Sequence, residues 1–166
     1  RLLVVPTFEH AFGKISAPFD ERVRMVELAF AVLDPARVSV SRIEEGLAVP
    51  SYTVRTLEAL TLAMPGARFR LLCGADVLGE LARWKEPERV VELAPLLVAG
   101  RTGHPRQAEG GLAVAGAGPD LPRVSSTEVR TALRAGESVD GLVPTAVLAY
   151  VRARGLYLRE GGAPAP

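Results

Sequence analysis

Residues 69–100, FRLLCGADVLGELARWKEPERVVELAPLLVAG, contain two short apolar runs separated by charged sequence. The runs "FRLLCG" and "PLLVAG" are each typical of a strand buried on both faces, and "EPERVVELA" between them predicts a short helix. Two buried strands joined by a helical crossover run parallel to each other. This stretch therefore predicts an α/β fold built on a parallel sheet.

The same alternation continues on either side of this stretch. "LLVVP" near the start predicts a fully buried strand, "RVSVSRIE" a second strand, and "TVRTLEALTLAM" a helix that Pro65-Gly66 ends. Between Thr102 and Pro122 the sequence predicts a loop with one edge strand at "LAVAG", followed by helices at about 126–135 and 144–154. A further helix starts at Asp20, ends at Asp34-Pro35, and carries an apolar stripe of Met25, Leu28, Ala29, Val32 and Leu33. We expect helices on both faces of the sheet and ligands at the carboxyl ends of its strands.

Length and composition limit the class of protein. The chain has 166 residues, is 48% hydrophobic and 23% charged, and has a net charge of +1, so it predicts one globular domain over 1–158 with a disordered tail over 159–166. This charge gives no electrostatic case for nucleic-acid binding. The single cysteine, Cys73, excludes an internal disulfide and a cysteine-based zinc cluster, and no apolar run is long enough to span a membrane. We expect a cytoplasmic protein.

The stretch "VSSTEVR" at 124–130 carries two kinds of chemistry. Ser125 and Glu128 have the spacing of a capping box, which explains both residues without a ligand. Ser126, Thr127 and Arg130 add hydroxyl groups and a forked cation to a helix N-terminus, where a phosphate would be bound favourably. Glu128 weakens this interpretation because its charge already complements the helix dipole.

Two candidate residues follow the predicted strand "FRLLCG" directly. Gly74 allows close approach of the backbone, and Asp76 could accept hydrogen bonds from ribose hydroxyls; the alternative is that Asp76 caps the next helix. The only tryptophan, Trp84, is either an anchor in the core or a surface on which an aromatic ligand stacks.

Loop residues supply the remaining candidates. In "PSYT" the helix start at Tyr52 and Thr53 could capture a carboxylate, or Thr53 could merely cap while Tyr52 packs. His10 and Lys14 in "EHAFGK" could bind phosphate or lie in solvent. His104 has no spaced partner for a metal, and we expect no metal site built from protein side chains.

Several of these motifs, in this order and spacing, resemble the bacterial nicotinate-mononucleotide adenylyltransferases. The resemblance covers nearly the whole chain to Tyr157 and rests on "PSYTVRTLEAL", "LLCGADVLGELARWKEPERVVELAPLLVAGR" and "VSSTEVRTALRAGESVDGLVPTAVLAYVRARGLY". It implies a Rossmann-like nucleotidyltransferase fold and an enzyme of NAD biosynthesis. The implied reaction joins nicotinate mononucleotide to the AMP part of ATP, with Mg²⁺, and yields deamido-NAD and pyrophosphate.

The resemblance also implies a role for each candidate residue. Trp84 stacks on the pyridine ring, Tyr52 and Thr53 seat its carboxylate, and Asp76 contacts the mononucleotide. Lys14 matches the family's lysine after the first-loop histidine. His10 and Gly74 are weaker candidates. The residues implied to hold the ATP phosphates are Ser125, Ser126, Thr127 and Arg130.

The sequence departs from the family pattern in two places. The family's first strand and its H-x-G-H motif, which binds ATP phosphates and stabilises the transition state, are absent from these residues, and "TGHPR" is no substitute. We therefore expect residues 1–166 alone to be catalytically inactive. In addition, "EHAFGK" stands where family members usually carry a Pro-rich loop that reaches His-Lys.

Three alternatives remain open from the sequence. Pantetheine-phosphate adenylyltransferases share an "SST…R" helix start and a stretch similar to "GESVDGLVP", and other adenylyl- or cytidylyltransferases share the fold. A nucleotide-binding module without catalysis is the alternative from another functional class. The choice between nicotinate and nicotinamide, and a homo-oligomeric state, are also left open.

Overall fold

The computed structural model describes residues 1–13, 17–101, 114–121 and 124–157. All strand pairs in this part of the chain are parallel, which confirms the predicted α/β class. The strands are β1 (Leu2–Val4), β2 (Val38–Val40), β3 (Leu71–Gly74), β4 (Leu96–Arg101) and β5 (Val114–Leu121). The α-helices are α1 (Phe19–Phe30), α2 (Thr53–Ala63), α3 (Ala75–Leu78), α4 (Pro87–Leu93), α5 (Ser126–Ala135) and α6 (Thr145–Ala153), and 3-10 helices span Ile43–Gly46 and Leu81–Arg83.

The chain divides into two compact units. The first contains β1, β2, α1, α5 and α6, and the second contains Glu9–Ala11 together with the elements from the 3-10 helix Ile43–Gly46 to β5. A single domain over 1–158 stays a prediction, and the tail at 159–166 lies outside the described residues.

The first unit has a two-stranded parallel sheet and a helical core. Leu2 pairs with Val38 and Val4 with Val40. Helices α1, α5 and α6 contribute the apolar side chains of the core. The buried members are Leu133, Val139, Val147, Leu148 and Val151, and Met25, Leu28 and Ala29 of α1 pack against them. The predicted helices at about 126–135 and 144–154 are therefore confirmed to within a residue.

The predicted stripe on α1 is correct for three residues and wrong for two. Helix α1 ends at Phe30, and the next residues form a turn in which the Leu33 N–H donates to the Phe30 carbonyl, 3.0 Å away. Val32 is 89% exposed and Leu33 48% exposed. Because Pro35 disfavours a helical conformation at Asp34, the helix ends before these residues can join its apolar face.

The prediction that the first strand is fully buried is also wrong. Leu2 is 37% exposed, and Leu3 and Val4 are half-buried. In the described part of the chain β1 has β2 as its single strand neighbour. An apolar run predicts a buried strand, but the tertiary structure decides how many other elements pack against that strand.

The second unit contains a three-stranded parallel sheet in the order β3-β4-β5. Leu71 pairs with Leu96, and Leu96 in turn pairs with Val114. Strand β4 is central, and its Leu96 and Val98 are almost completely buried. One apolar cluster contains these two residues together with Ala75, Leu78, Leu81 and Val91. A second cluster lies between α2 and α4 and consists of Val54, Leu57, Val90 and Ala94.

Strand β5 corrects the prediction for 102–122. The predicted edge strand at "LAVAG" is confirmed from Val114 onward, and the strand continues beyond the predicted stretch to Leu121. Its pairing with β4 contains two irregularities in register. Backbone pairing with a buried neighbour stabilises a strand whose own residues have weak strand propensity, and Pro119, which has no N–H, is tolerated in a strand at a sheet edge.

None of the described helices has the length and apolar character needed to cross a membrane.

Candidate active site

Helix α5 begins with the predicted capping box. The Ser125 side chain accepts a hydrogen bond from the Glu128 N–H at 3.1 Å, and the Glu128 carboxylate accepts one from the Ser125 N–H at 3.2 Å. These two residues thus have a structural role that is independent of any ligand.

The other three members of the predicted phosphate site share one face of α5. Ser126 and Thr127 lie four and three residues before Arg130, a spacing that brings side chains together on a helix surface. Both hydroxyl-bearing residues are exposed, and Arg130 is half-buried. No carboxylate of the described residues pairs with its guanidinium. Two hydroxyls, a cation and the start of a ten-residue helix can therefore bind an anion together.

In the second unit, Tyr52 and Thr53 lie at the start of α2. Tyr52 is the residue that precedes the helix, Thr53 is its first residue, and no side-chain hydrogen bond from the described residues caps this end. The alternative that Thr53 caps the helix is therefore wrong. Uncapped N–H groups and the positive end of the helix dipole can accept a carboxylate.

Two cations lie next to the ring of Tyr52. The Arg55 guanidinium carbon is 5.1 Å from the ring centroid, and the Lys85 Nζ is 5.4 Å from it. The Glu86 carboxylate lies 4.0 Å from Lys85, whose side chain is 43% exposed, so this partner is a weak one. In the sequence Lys85 is only a neighbour of Trp84, and its position beside Tyr52 depends on the fold.

Trp84 follows the 3-10 helix Leu81–Arg83 and packs against both apolar clusters of the second unit. Tyr52 packs against one of the same clusters, so the two aromatic residues share a support. Trp84 is half-buried. It is thus anchored in the core and partly exposed, and stacking on an aromatic ligand stays a prediction.

Gly74 and Asp76 lie where β3 leads into α3. Gly74 is the residue that precedes α3 and Asp76 is its second residue, so the alternative that Asp76 caps this helix is wrong. A Cβ atom on Gly74 would overlap the carboxylate oxygen of Asp76. The glycine therefore lets the carboxylate approach the backbone at the end of the strand.

Cys73 precedes this pair and is an unsuitable nucleophile. Burial raises the pKa of the Cys73 thiol, and the charge of Asp76 raises it further. The thiol therefore stays protonated near neutral pH.

Loop residues 9–11 contact the segment before α2. The Ser51 N–H donates to the Glu9 carbonyl at 2.8 Å, and the Glu9 N–H donates to Ser51 Oγ at 3.1 Å. His10 forms an isolated parallel bridge with Ser51. The structure thus places His10 beside the start of α2, whereas Lys14 and His104 lie outside the described residues.

The predicted residues thus form two sets. The phosphate set, Ser125 to Arg130, belongs to the first unit. The second unit holds His10, Tyr52, Thr53, Gly74, Asp76 and Trp84. Each set has the local chemistry for one of two anionic substrates.

Comparison with known proteins places this arrangement in a class. No family model matches the chain. A solved Plasmodium falciparum nicotinic acid mononucleotide adenylyltransferase complexed with NaAD superposes with a TM-score of 0.75 at 16% identity, covering 93% of this chain and 81% of that one. The same enzyme complexed with APC gives a TM-score of 0.67 at 15% identity over 93% and 81% of the two chains. The fold is that of the Rossmann-like nucleotidyltransferases.

Curated relatives define the family within that class. A protein of Anaeromyxobacter dehalogenans named "Probable nicotinate-nucleotide adenylyltransferase" is 46% identical over 155 residues, which are 93% of this chain and 79% of that protein. A Myxococcus xanthus protein of the same name is 36% identical over 93% of this chain and 77% of its own length. The chain belongs to the nicotinate-nucleotide adenylyltransferase family, whose members are nucleotidyltransferase enzymes.

Proposed function

We propose that this protein transfers the adenylyl group of ATP to nicotinate mononucleotide, a step of NAD biosynthesis. The observation that carries the proposal is the site at the start of α2. There an uncapped helix end lies beside Tyr52, which has two cations at its ring, while Trp84 packs on the same apolar cluster. A pyridine ring with a carboxylate matches this combination of aromatic and cationic groups.

The reaction needs two aligned substrates and no protein nucleophile. A phosphate oxygen of the mononucleotide attacks the α-phosphorus of ATP in line with the bond to the β-phosphate. That bond breaks, and pyrophosphate leaves with its electron pair. The protonated Cys73 thiol agrees with such a direct displacement. Catalysis then consists of holding the substrates and neutralising charge on the phosphates.

The phosphate set on α5 is proposed to hold ATP. Arg130 neutralises charge that grows on the leaving pyrophosphate, and the hydroxyls of Ser126 and Thr127 donate hydrogen bonds to its oxygens. Ser125 contributes mainly by fixing the start of the helix, because its side chain already forms the capping box. Among the described residues no cluster of three or more histidine, cysteine or acidic side chains could hold a metal ion. We propose that ATP is used as its Mg²⁺ complex, in which the metal neutralises charge on the phosphates.

The second set is proposed to hold nicotinate mononucleotide. Trp84 stacks on the pyridine ring, Tyr52 and the N–H groups at Thr53 bind its carboxylate, and Asp76 accepts hydrogen bonds from the ribose. Gly74 provides room for the carboxylate of Asp76. His10 and Lys14 contribute to phosphate binding from the first loop.

A pyrophosphate-release assay tests the function. The full-length protein is given ATP and Mg²⁺ with nicotinate mononucleotide, nicotinamide mononucleotide or phosphopantetheine in parallel reactions. We expect release with nicotinate mononucleotide far above the other two. Release with phosphopantetheine alone would establish the alternative adenylyltransferase, and ATP binding without release from any acceptor would establish a binding module.

Three further experiments test the remaining predictions. Residues 1–166 alone are expected to give no turnover. Light scattering reports whether the protein is a homo-oligomer, and fractionation of cells tests the predicted cytoplasmic location. Membrane and nucleic-acid partners are not part of the proposal.

A further inference from the structure

A buried carboxylate lies close to the start of α2 and has no part in the proposed reaction. Glu44 is 7% exposed and Thr56 is 6% exposed. The Thr56 hydroxyl donates to Glu44 Oε1 at 2.7 Å. Burial of a carboxylate is unfavourable unless hydrogen bonds compensate for the lost water. The hydrogen bond from Thr56 offsets part of this cost.

The contact joins two ends of one loop. Glu44 lies in the 3-10 helix Ile43–Gly46, and Thr56 lies in the first turn of α2. Thr56 also donates its backbone N–H to the Tyr52 carbonyl at 3.2 Å. The Glu44–Thr56 hydrogen bond thus links the two elements on either side of the loop that leads to Tyr52. Thr56 lies about one helical turn after Thr53.

Other hydrogen bonds hold the same loop. Arg55 Nη1 donates to the Ala48 carbonyl at 3.3 Å, and the Leu47 N–H donates to the Glu44 carbonyl at 3.1 Å. The last residues of the loop are also held, because Ser51 forms two hydrogen bonds with Glu9. Of these contacts, the one between Glu44 and Thr56 joins two buried side chains, so water cannot replace it.

We propose that Glu44 and Thr56 are a positioning pair that sets the location of the α2 N-terminus, and with it Tyr52 and Thr53, for the substrate carboxylate. This inference rests on the proposed function. The pair touches no substrate and acts through the helix end. Displacement of a binding group by about 1 Å is enough to weaken its interaction with a ligand by an order of magnitude or more. Loss of the pair should therefore affect the carboxylate-bearing substrate and spare ATP.

Replacement of Thr56 separates a positioning role from a general effect on stability. Thr56→Val keeps the shape and removes the hydroxyl, while Thr56→Ser keeps the hydroxyl. In the full-length protein we expect T56V to raise the KM for nicotinate mononucleotide about tenfold, with kcat and the KM for ATP changed by less than about twofold. T56S should recover most of the lost affinity. Weak use of nicotinamide mononucleotide, which lacks the carboxylate, should be the same in all three proteins.

Thr61→Val is the matched control. Thr61 is on the same helix and exposed, and its hydroxyl donates to the Leu57 carbonyl at 2.8 Å. The same substitution there should leave both KM values unchanged. Glu44→Ala and the double variant E44A/T56V should have the same KM for nicotinate mononucleotide, because the contact with Thr56 is already absent from E44A.

Two outcomes would overturn the proposal: T56V and T56S behaving alike, or T56V impairing both substrates equally. If E44A does not fold, the comparison of T56V, T56S and T61V decides alone. Absence of turnover with nicotinate mononucleotide in the unmodified protein would instead refute the proposed function, so the two failures are distinguishable.

Discussion

Arg130 is the residue on which the proposed phosphate chemistry depends most. It shares a face of α5 with Ser126 and Thr127, and its guanidinium has no carboxylate partner among the described residues. The capping box satisfies the backbone N–H groups of Ser125 and Glu128 and leaves the side chains of Ser126, Thr127 and Arg130 to bind an anion. Ser125 and Glu128 therefore have a structural role, whereas Ser126, Thr127 and Arg130 are proposed to bind the ligand.

Arg130→Ala should impair the use of ATP far more than that of the mononucleotide. Removal of a charge-assisted contact to the leaving group should lower kcat/KM for ATP about a hundredfold. The control is Arg134→Ala, because Arg134 is exposed one turn further along α5. Steady-state kinetics with each substrate varied in turn provide the measurement, and equal losses for both substrates would contradict the assigned role.

Trp84→Ala should raise the KM for nicotinate mononucleotide and leave that for ATP nearly unchanged. Stacking of a base on an aromatic side chain contributes about 1–3 kcal/mol, which corresponds to a KM increase of about fivefold to 150-fold. Because Trp84 also packs on two apolar clusters, Trp84→Phe is included to retain a ring at that position. An unaltered KM in the alanine variant, measured well below its melting temperature, would argue against stacking.

At the scale of elements, α1 holds the loop that follows β1. The Arg22 guanidinium donates to the carbonyls of Thr7, Phe8 and Ala17, the last at 2.9 Å. It also lies 5.4 Å from the ring centroid of Phe19, which makes an edge contact with Phe8. One side chain therefore ties both described ends of the loop to the first turn of the helix.

Arg22→Ala should lower the free energy of unfolding by about 1–3 kcal/mol, because partly buried carbonyls lose their donor. Arg24→Ala is the matched control on the same helix. Arg24 pairs with Glu27 at the surface, where both side chains are about half exposed, and such pairs contribute little. Urea denaturation of both variants tests this, and equal effects would show that the three carbonyl contacts contribute nothing measurable.

The scale of elements also shows what local patterns can predict. The start of α5 at Ser126 is confirmed because a capping box depends on residues three apart. The predicted end of α1 is wrong because it depends on a turn before Pro35. The predicted length of β5 is wrong because the strand is stabilised by pairing with β4. The contacts of Arg22 with carbonyls up to fifteen residues away have no periodic signature in the sequence.

At the scale of the whole molecule, residues far apart in the chain determine how stability responds to pH. Arg154 of the segment after α6 donates to Glu21 of α1 from both Nε and Nη2, across 133 positions of sequence. The hydrogen bond from Arg154 is the main reason why the pKa of Glu21 lies below its ordinary value near 4.5, and a hydrogen bond from Tyr150 adds to it.

Glu21→Gln should reduce the acid sensitivity of folding. Because the pKa of Glu21 is lower in the folded state than in the unfolded one, the ionised carboxylate stabilises the fold above the ordinary pKa. This contribution disappears as the pH falls through the lowered value. We expect the melting temperatures of the variant and the unmodified protein to differ at pH 7 and to converge as the pH falls through the lowered pKa of Glu21. Glu27→Gln, which leaves the contact with Arg154 intact, is the control, and a constant difference across this range would contradict the linkage.

The sequence by itself determined the α/β class, the family, the capping box of α5, and most of the residues proposed for the two substrate sets. These features depend on residue types at short spacings, or on motifs that keep their order along the chain. The tertiary structure alone decided the position of Lys85 at the ring of Tyr52 and the contact between Glu44 and Thr56. It also decided how far each apolar strand is covered. The physical reason is that these contacts join residues across loops, and the path of a loop depends on packing and hydrogen bonds that no local periodicity encodes.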